Sequence, residues 1–243
     1  MPIAVVSSGA YLTSVLISAL FCGTICAAAR RRRGLWADIA AKVLGLALAA
    51  VATSWIVQSI VDGPWTAANS LPLPLCDVAL VVAAAACWWR SPLLVELTWF
   101  WGLAGTLQAV ITPDLGVAFP HLIFFQYVVG HLGIVVAALY LVVGLGITPR
   151  PGAVGRTFAI TLAYTAFVGA VDAITGGDYM FLRSRPVTWS LLSVLGPWPW
   201  YILGATGVAI VALVLLDLPF RPARRQLRAA GMTAGPGGVG QRS

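Results

Sequence analysis

LPLPLCDVALVVAAAACWWR, running from Leu71 to Arg90, is the stretch whose reading decides the fold class. Before Arg90 its only acidic or basic side chain is Asp77, and Val, Ala and Leu fill most of the rest. Trp88 and Trp89 close the run, where amphipathic aromatic rings suit a membrane–water boundary. A segment of this character reads as a membrane span. Pro72 and Pro74 suit its entry, because the first N–H groups of a helix have no intrahelical partner to lose. Cys76 and Asp77 stand side by side in the first turns. A free Cys is most often a small buried hydrophobe, whereas an ionisable neighbour inside an apolar span points to function.

The composition around this stretch agrees. Of 243 residues 60% are hydrophobic and 9% charged, and the mean hydropathy is +0.91. Soluble domains carry about 25% charged residues, so the chain is an integral membrane protein. Its net charge of +7 is concentrated in Arg30–Arg33 and in Arg221, Arg224, Arg225 and Arg228. Both groups lie just beyond apolar runs, where basic residues set orientation and meet anionic lipid headgroups; no nucleic-acid partner is expected. Cys22, Cys26, Cys76 and Cys87 all fall in apolar segments, without a CxxC or a paired His, so neither disulfides nor a metal site is indicated. No dinucleotide, phosphate-loop or metalloprotease pattern occurs, and no cofactor is expected.

A helix of about 20 apolar residues crosses a bilayer core. Segments 8–29, 38–60, 72–89, 93–112, 119–147, 157–176 and 198–220 meet or approach that length. They predict one membrane domain over 1–220, followed by a basic, Gly-rich, disordered cytoplasmic tail over 221–243. With the N-terminus outside, 13 of the 15 basic residues face inward, leaving only Arg183 and Arg185 outside. Adding or removing one internal span would destroy that asymmetry. The expectation is an all-α seven-transmembrane-helix bundle, N-terminus outside and C-terminus cytoplasmic, multi-pass in the cell (plasma) membrane.

This topology gathers polar groups in the outer half of the bundle: Cys76 and Asp77 on the third span, Gln108 on the fourth, His131 on the fifth and Asp172 on the sixth. His121 sits at the outer lip, and Tyr127 shares a face with His131 one turn away. Each has a plain alternative. Gln108 and Asp172 suit interhelical hydrogen bonds worth on the order of 0.6–2 kcal/mol, His131 a bond to a neighbouring helix, and Glu96 and Asp38 an interfacial position. Together a Cys and a His suit nucleophilic catalysis, with His131 as base and then acid and Cys76 as the thiolate. A thioester intermediate then gives acyl transfer, and membrane phospholipid is the substrate at that depth. The competing expectation is a small-molecule or ion transporter with a path through Asp77, Gln108, His131 and Asp172. A retinal photoreceptor is excluded, since the only lysine, Lys42, lies near the inner end of the second span.

ELTWFWGLAGTLQAVITPD (Glu96 to Asp114), Phe119-Pro120-His121, Gly130-His131, YMFLRSRP (Tyr179 to Pro186) and LGPWPWY (Leu195 to Tyr201) together resemble the YwaF-like bacterial integral membrane proteins. The resemblance covers about 70–220. That family is related to the animal transmembrane-protein-164 acyltransferases, which in turn resemble the androgen-induced-gene family of intramembrane lipid hydrolases. It implies a catalytic Cys and His on separate helices that move an acyl chain between phospholipids, and Cys76 and His131 match their positions. Two residues depart from the pattern: Pro74 stands where Leu-Pro-Leu-His-Leu-Cys carries His, and Asp178 where Asn precedes Tyr.

Overall fold

The computed structural model describes residues 9–32, 34–61, 63–113, 115–186, 190–224 and 226. Ser8, Arg33, Asp114, Arg225, Arg228 and the tail beyond 226 lie outside the described residues. Helices follow in the order α1 (Gly9–Arg31), α2 (Leu35–Val61), α3 (Leu75–Trp89), α4 (Pro92–Ile111), α5 (Leu122–Gly144) and α6 (Ala153–Thr175). The single turn α7 (Leu191–Val194) and α8 (Trp200–Asp217) complete the series. No strand occurs among the described residues. Six helices, all but α3 and α7, are long and apolar enough to cross a membrane, and α3 is a shorter apolar helix. The chain is a multi-pass membrane protein.

Half or more of the apolar window of α4 and of α5 is buried, against less than a fifth in α1, α2, α6 and α8. The core therefore lies along α4 and α5, and the other long helices present most of their surface to lipid. Small residues set the closest approaches, as expected where lipid gives helices no hydrophobic drive to associate. A Cβ on Gly102 of α4 would stand 3.1 Å from Ile134 Cγ2 of α5, and one on Gly133 of α5 would stand 2.6 Å from Leu48 Cδ2 of α2. Interhelical hydrogen bonds add register. Tyr140 donates to the Ala37 carbonyl at 2.9 Å, Gln126 to Ser54 Oγ at 3.1 Å, and Trp101 Nε1 to Thr161 Oγ1 at 2.8 Å.

Ion pairs gather one end of the bundle. Asp38 at the start of α2 meets Arg90 at the end of α3, at 2.6 Å. Arg90 itself caps α3 in the left-handed conformation (φ 52°), which lets Ser91-Pro92 turn directly into α4. Glu96 of α4 is 1% exposed, held between two partly exposed arginines near the start of the helix. It accepts from the Arg150 backbone N–H at 2.9 Å and from the guanidinium groups of Arg150 and Arg156 at 2.8 and 2.9 Å. Asp217, at the end of α8, holds Arg221 and Arg224 at 3.0 and 2.7 Å. Every one of these basic residues belongs to the set that the charge asymmetry assigns to one side.

The helix bounds sharpen the sequence reading in one place that matters. The third helix starts at Leu75 rather than Pro72, with Pro74 as its N-cap. Neither proline supplies an N–H, and Leu71–Pro74 instead form a bent strap before the helix, with the Leu73 N–H donating to the Leu71 carbonyl at 2.8 Å.

Candidate functional site

The strap is held from outside itself. Tyr179 donates its hydroxyl to the Ala67 carbonyl at 2.8 Å and accepts from the Leu71 N–H at 2.9 Å. Tyr164 of α6 donates to the Leu73 carbonyl at 2.7 Å. Side chains thereby satisfy the Leu71 N–H and the Leu73 carbonyl of a segment that cannot be helical. The strap delivers Cys76 and Asp77 into the first turn of α3. Cys76 is partly buried, and the hydroxyl of Thr106 on α4 lies beside its thiol.

Thr106 ends a π-helical stretch of α4, Trp101–Thr106. Such wide turns recur at functional sites because they re-aim side chains without ending the helix. This one packs on neighbours of both Cys76 and His131. A Cβ on Gly105 would lie 3.7 Å from Leu75 Cδ2 of the Cys76 turn, and Gly102 packs on Ile134, three residues beyond His131.

His131 lies in the middle of α5, its ring stacked on Tyr127 with centroids 4.1 Å apart. Its Nδ1 is 2.9 Å from the Tyr127 carbonyl oxygen. A carbonyl can only accept, so Nδ1 carries the proton and Nε2 presents a lone pair. The Tyr127 hydroxyl donates to the Ala109 carbonyl of α4 at 2.7 Å, which fixes the stacking partner and with it the imidazole plane.

The remaining predicted residues divide. Asp77 lines a cavity between α2 and α3. Gln108 donates to Thr112 Oγ1, one turn along its own helix, at 2.9 Å. Asp172, 1% exposed, accepts the Tyr179 N–H at 3.1 and 3.2 Å, and so anchors the residue that holds the strap. His121 is exposed and caps α5, its Nδ1 accepting from the Ile123 N–H at 3.2 Å.

Residues 5–217 match the sequence profile of the TMEM164 family. The chain belongs to the TMEM164 family. An uncharacterized protein of Treponema pallidum (strain Nichols) is 28% identical over 158 residues, 64% of each chain. The chain thus spans a little under two thirds of the length of that relative. No solved structure matches it.

In this member of the TMEM164 family, sequence reading passes over Thr106, Tyr164 and Tyr179. Thr in a helix ordinarily bonds its own backbone one turn back, as Thr98, Thr161 and Thr206 do here, so nothing distinguishes Thr106 in the sequence. Tyr179 carries a weak signal, since it falls in the loop motif that gives the resemblance.

Proposed function

We propose that this TMEM164-family chain is an intramembrane lipid acyltransferase or transacylase that moves phospholipid acyl chains through a thioester on Cys76. The observation that carries the reading is the pair of prepared groups on either side of the π-helical stretch of α4. One is a thiol beside the buried hydroxyl of Thr106; the other is an imidazole whose Nδ1 is engaged, which leaves the Nε2 lone pair to act as a base. In the reaction Nε2 takes the Cys76 proton, and the sulfur attacks the ester carbonyl of a phospholipid. The ester C–O bond breaks, and the departing lysolipid oxygen takes the proton from His131. A second lipid hydroxyl gives its proton to Nε2 and attacks the thioester carbonyl; the C–S bond breaks, and the proton passes from Nε2 to the Cys76 sulfur. Atoms and electrons balance without a cofactor. Pro74, in the place of the family's usual His, gives this chain one imidazole for both steps.

The setting is a seven-helix bundle of the plasma membrane, with its N-terminus outside and α3 as the short seventh span. Arg30–Arg33 and the Arg221–Arg228 group meet anionic headgroups on the inner side. Gln108 and Asp172 are engaged within their own neighbourhoods, which removes two members of a polar transport path and supports chemistry over conduction. Acyl exchange between defined phospholipids in proteoliposomes tests the reading. Cys76→Ala should abolish turnover, and His131→Ala should lower it by about 10²–10⁴-fold. Equal turnover by wild type and both variants sinks it.

A further inference from the structure

A cavity of about 620 Å³ opens at the basic end of the bundle, between the loop joining α5 to α6 and the segment that follows α8. That volume lies within the range of about 300–1,000 Å³ usual for small-molecule sites. Thr148 and Arg150 line it from the loop, and Phe220, Ala223 and Arg224 from the other side. Both arginines are already oriented. Arg150 forks onto the buried carboxylate of Glu96 at 2.8 and 3.2 Å. Arg224 donates to Asp217 at 2.7 Å and to the Pro149 carbonyl, with its guanidinium over the Phe220 ring. A guanidinium has five N–H donors, so neither fork is spent. Arg150 Nη1 and Arg224 Nε donate to nothing among the described residues.

Charge narrows the occupant first. Glu96 with Arg150 and Arg156, and Asp217 with Arg221 and Arg224, set four guanidinium groups against two carboxylates. Two positive charges stay unmatched, and a monoanion would leave one of them so. The segment 218–243 holds no Asp or Glu, so no acidic side chain there supplies the missing charge. Donor geometry narrows it further. Guanidinium forks suit the oxygens of a phosphate, each of which accepts N–H bonds in the plane of the fork. The loop carbonyls that would repel an anion are covered, Pro149 by Arg224 and Pro151 by Arg156 at 2.9 Å. Thr148, exposed at the rim, adds a hydroxyl. Because the carboxylates hold both forks before a ligand arrives, binding has little left to order.

We propose that this cavity is a binding site for a phosphomonoester dianion, held between Arg150 and Arg224 and tying the α5–α6 loop to the end of α8. A phosphomonoester carries about two negative charges near neutral pH, whereas a phosphodiester carries one. The site therefore selects by valence, which the general attraction of arginines for anionic headgroups does not. A soluble phosphate ester and a phosphatidic acid share this chemistry. The binding stands apart from the acyl transfer proposed for Cys76.

The test follows melting of the purified full chain in neutral detergent by tryptophan fluorescence, at about 0.15 M salt, where charges beyond about 8 Å are largely screened. A ligand that binds only the folded chain raises the melting temperature with its concentration, which gives an affinity. Dioleoyl phosphatidic acid should bind about tenfold more tightly than dioleoyl phosphatidylglycerol, a preference of about 1.4 kcal/mol. Ala223→Glu brings a carboxylate to the cavity and leaves both ion clusters intact. It should weaken phosphatidic acid about tenfold, while Ala223→Gln should stay within about twofold of wild type. Glycerol 1-phosphate and inorganic phosphate separate the sources. If either stabilises the chain alone, and Ala223→Glu removes that effect, the site takes free phosphate; if only phosphatidic acid does so, it takes a lipid headgroup. Equal affinity for the two lipids, no ligand-dependent shift, or equal binding by Ala223→Glu and Ala223→Gln overturns the proposal. Cys76→Ala should bind as wild type does, so a failed acyl-exchange assay leaves the result standing.

Discussion

Thr106 is a positioning residue whose role can be separated from plain packing. Its hydroxyl lies beside the Cys76 thiol in a fully buried site on α4, placed to donate to the thiolate, and a hydrogen bond to a charged group is worth about 1.5–3 kcal/mol. Thr106→Val keeps the shape and removes the donor. It should slow acyl exchange by roughly 10–100-fold and slow maleimide alkylation of Cys76 in parallel, with little change in melting temperature. Thr106→Ser should restore both rates. A Val variant that alkylates at the wild-type rate would show that the thiol does not depend on this donor. Asp172 gives the opposite lesson. Its carboxylate receives the Tyr179 backbone N–H, and an amide oxygen can receive the same bond. Asp172→Asn should stay within about 1 kcal/mol of wild-type stability and keep turnover, whereas Asp172→Leu strands the N–H at a cost of about 1–3 kcal/mol. Thermal unfolding in detergent separates the two.

At the scale of elements, the proline strap and the π-helical stretch do most to shape the site, and they differ in how far the sequence reveals them. Pro72 and Pro74 announce a helix entry, and the apolar run behind them announces the helix. What ties the strap down comes from residues about 90–110 positions later, Tyr164 and Tyr179, and no local pattern encodes such a partner. Tyr179→Phe removes one hydroxyl and leaves the Leu71 N–H and Ala67 carbonyl unpaired. The expected cost is about 1–3 kcal/mol, read as a lower melting temperature and as protease cleavage within 63–74 before the helices are cut. An unchanged cleavage pattern would mean that the strap holds itself. The π-helical stretch is harder to foresee. WGLAGT is a plain apolar helix by periodicity, and its widening depends on Gly102 and Gly105 meeting Ile134 and Leu75 from two other helices. The sequence predicts polar residues gathered in one half of the bundle, but it does not reveal their individual partners. Gln108 turns to its own helix and His121 caps α5; only distances could separate them from His131.

For the whole molecule, the ion pairs at the basic end give the charge asymmetry a structural meaning. Arg90, Arg150 and Arg156 each meet a carboxylate on another segment of that end, and Arg224 donates to the Pro149 carbonyl, so part of the positive charge also closes the bundle. Glu96 is the buried member, while its two arginines remain partly exposed. Removing Glu96 leaves guanidinium groups that water can reach, but removing both arginines strands a carboxylate in the interior. Arg150→Met with Arg156→Met should therefore cost about 3–5 kcal/mol, and Glu96→Gln distinctly less; equal losses of melting temperature would contradict this asymmetry. The orientation expected from the charge asymmetry can be tested at the same end. With an N-terminus outside and seven spans, Arg90, Arg150 and Arg224 face the cytoplasm, while Arg183 and Ser184 face out. A fluorescent protein fused after Ser243 should fluoresce, and a cysteine at Ser184 in a chain lacking Cys22, Cys26, Cys76 and Cys87 should react with an impermeant maleimide on intact cells. A cysteine at Ser91 should react only after the cells are opened. Because α3 has only 15 residues, about 22 Å at 1.5 Å per residue, it reaches across a hydrocarbon core only if the strap enters the membrane with it. If α3 instead stayed within one leaflet, Ser91 and the inner ends of α4 and α6 would exchange sides with Ser184, and both maleimide results would invert.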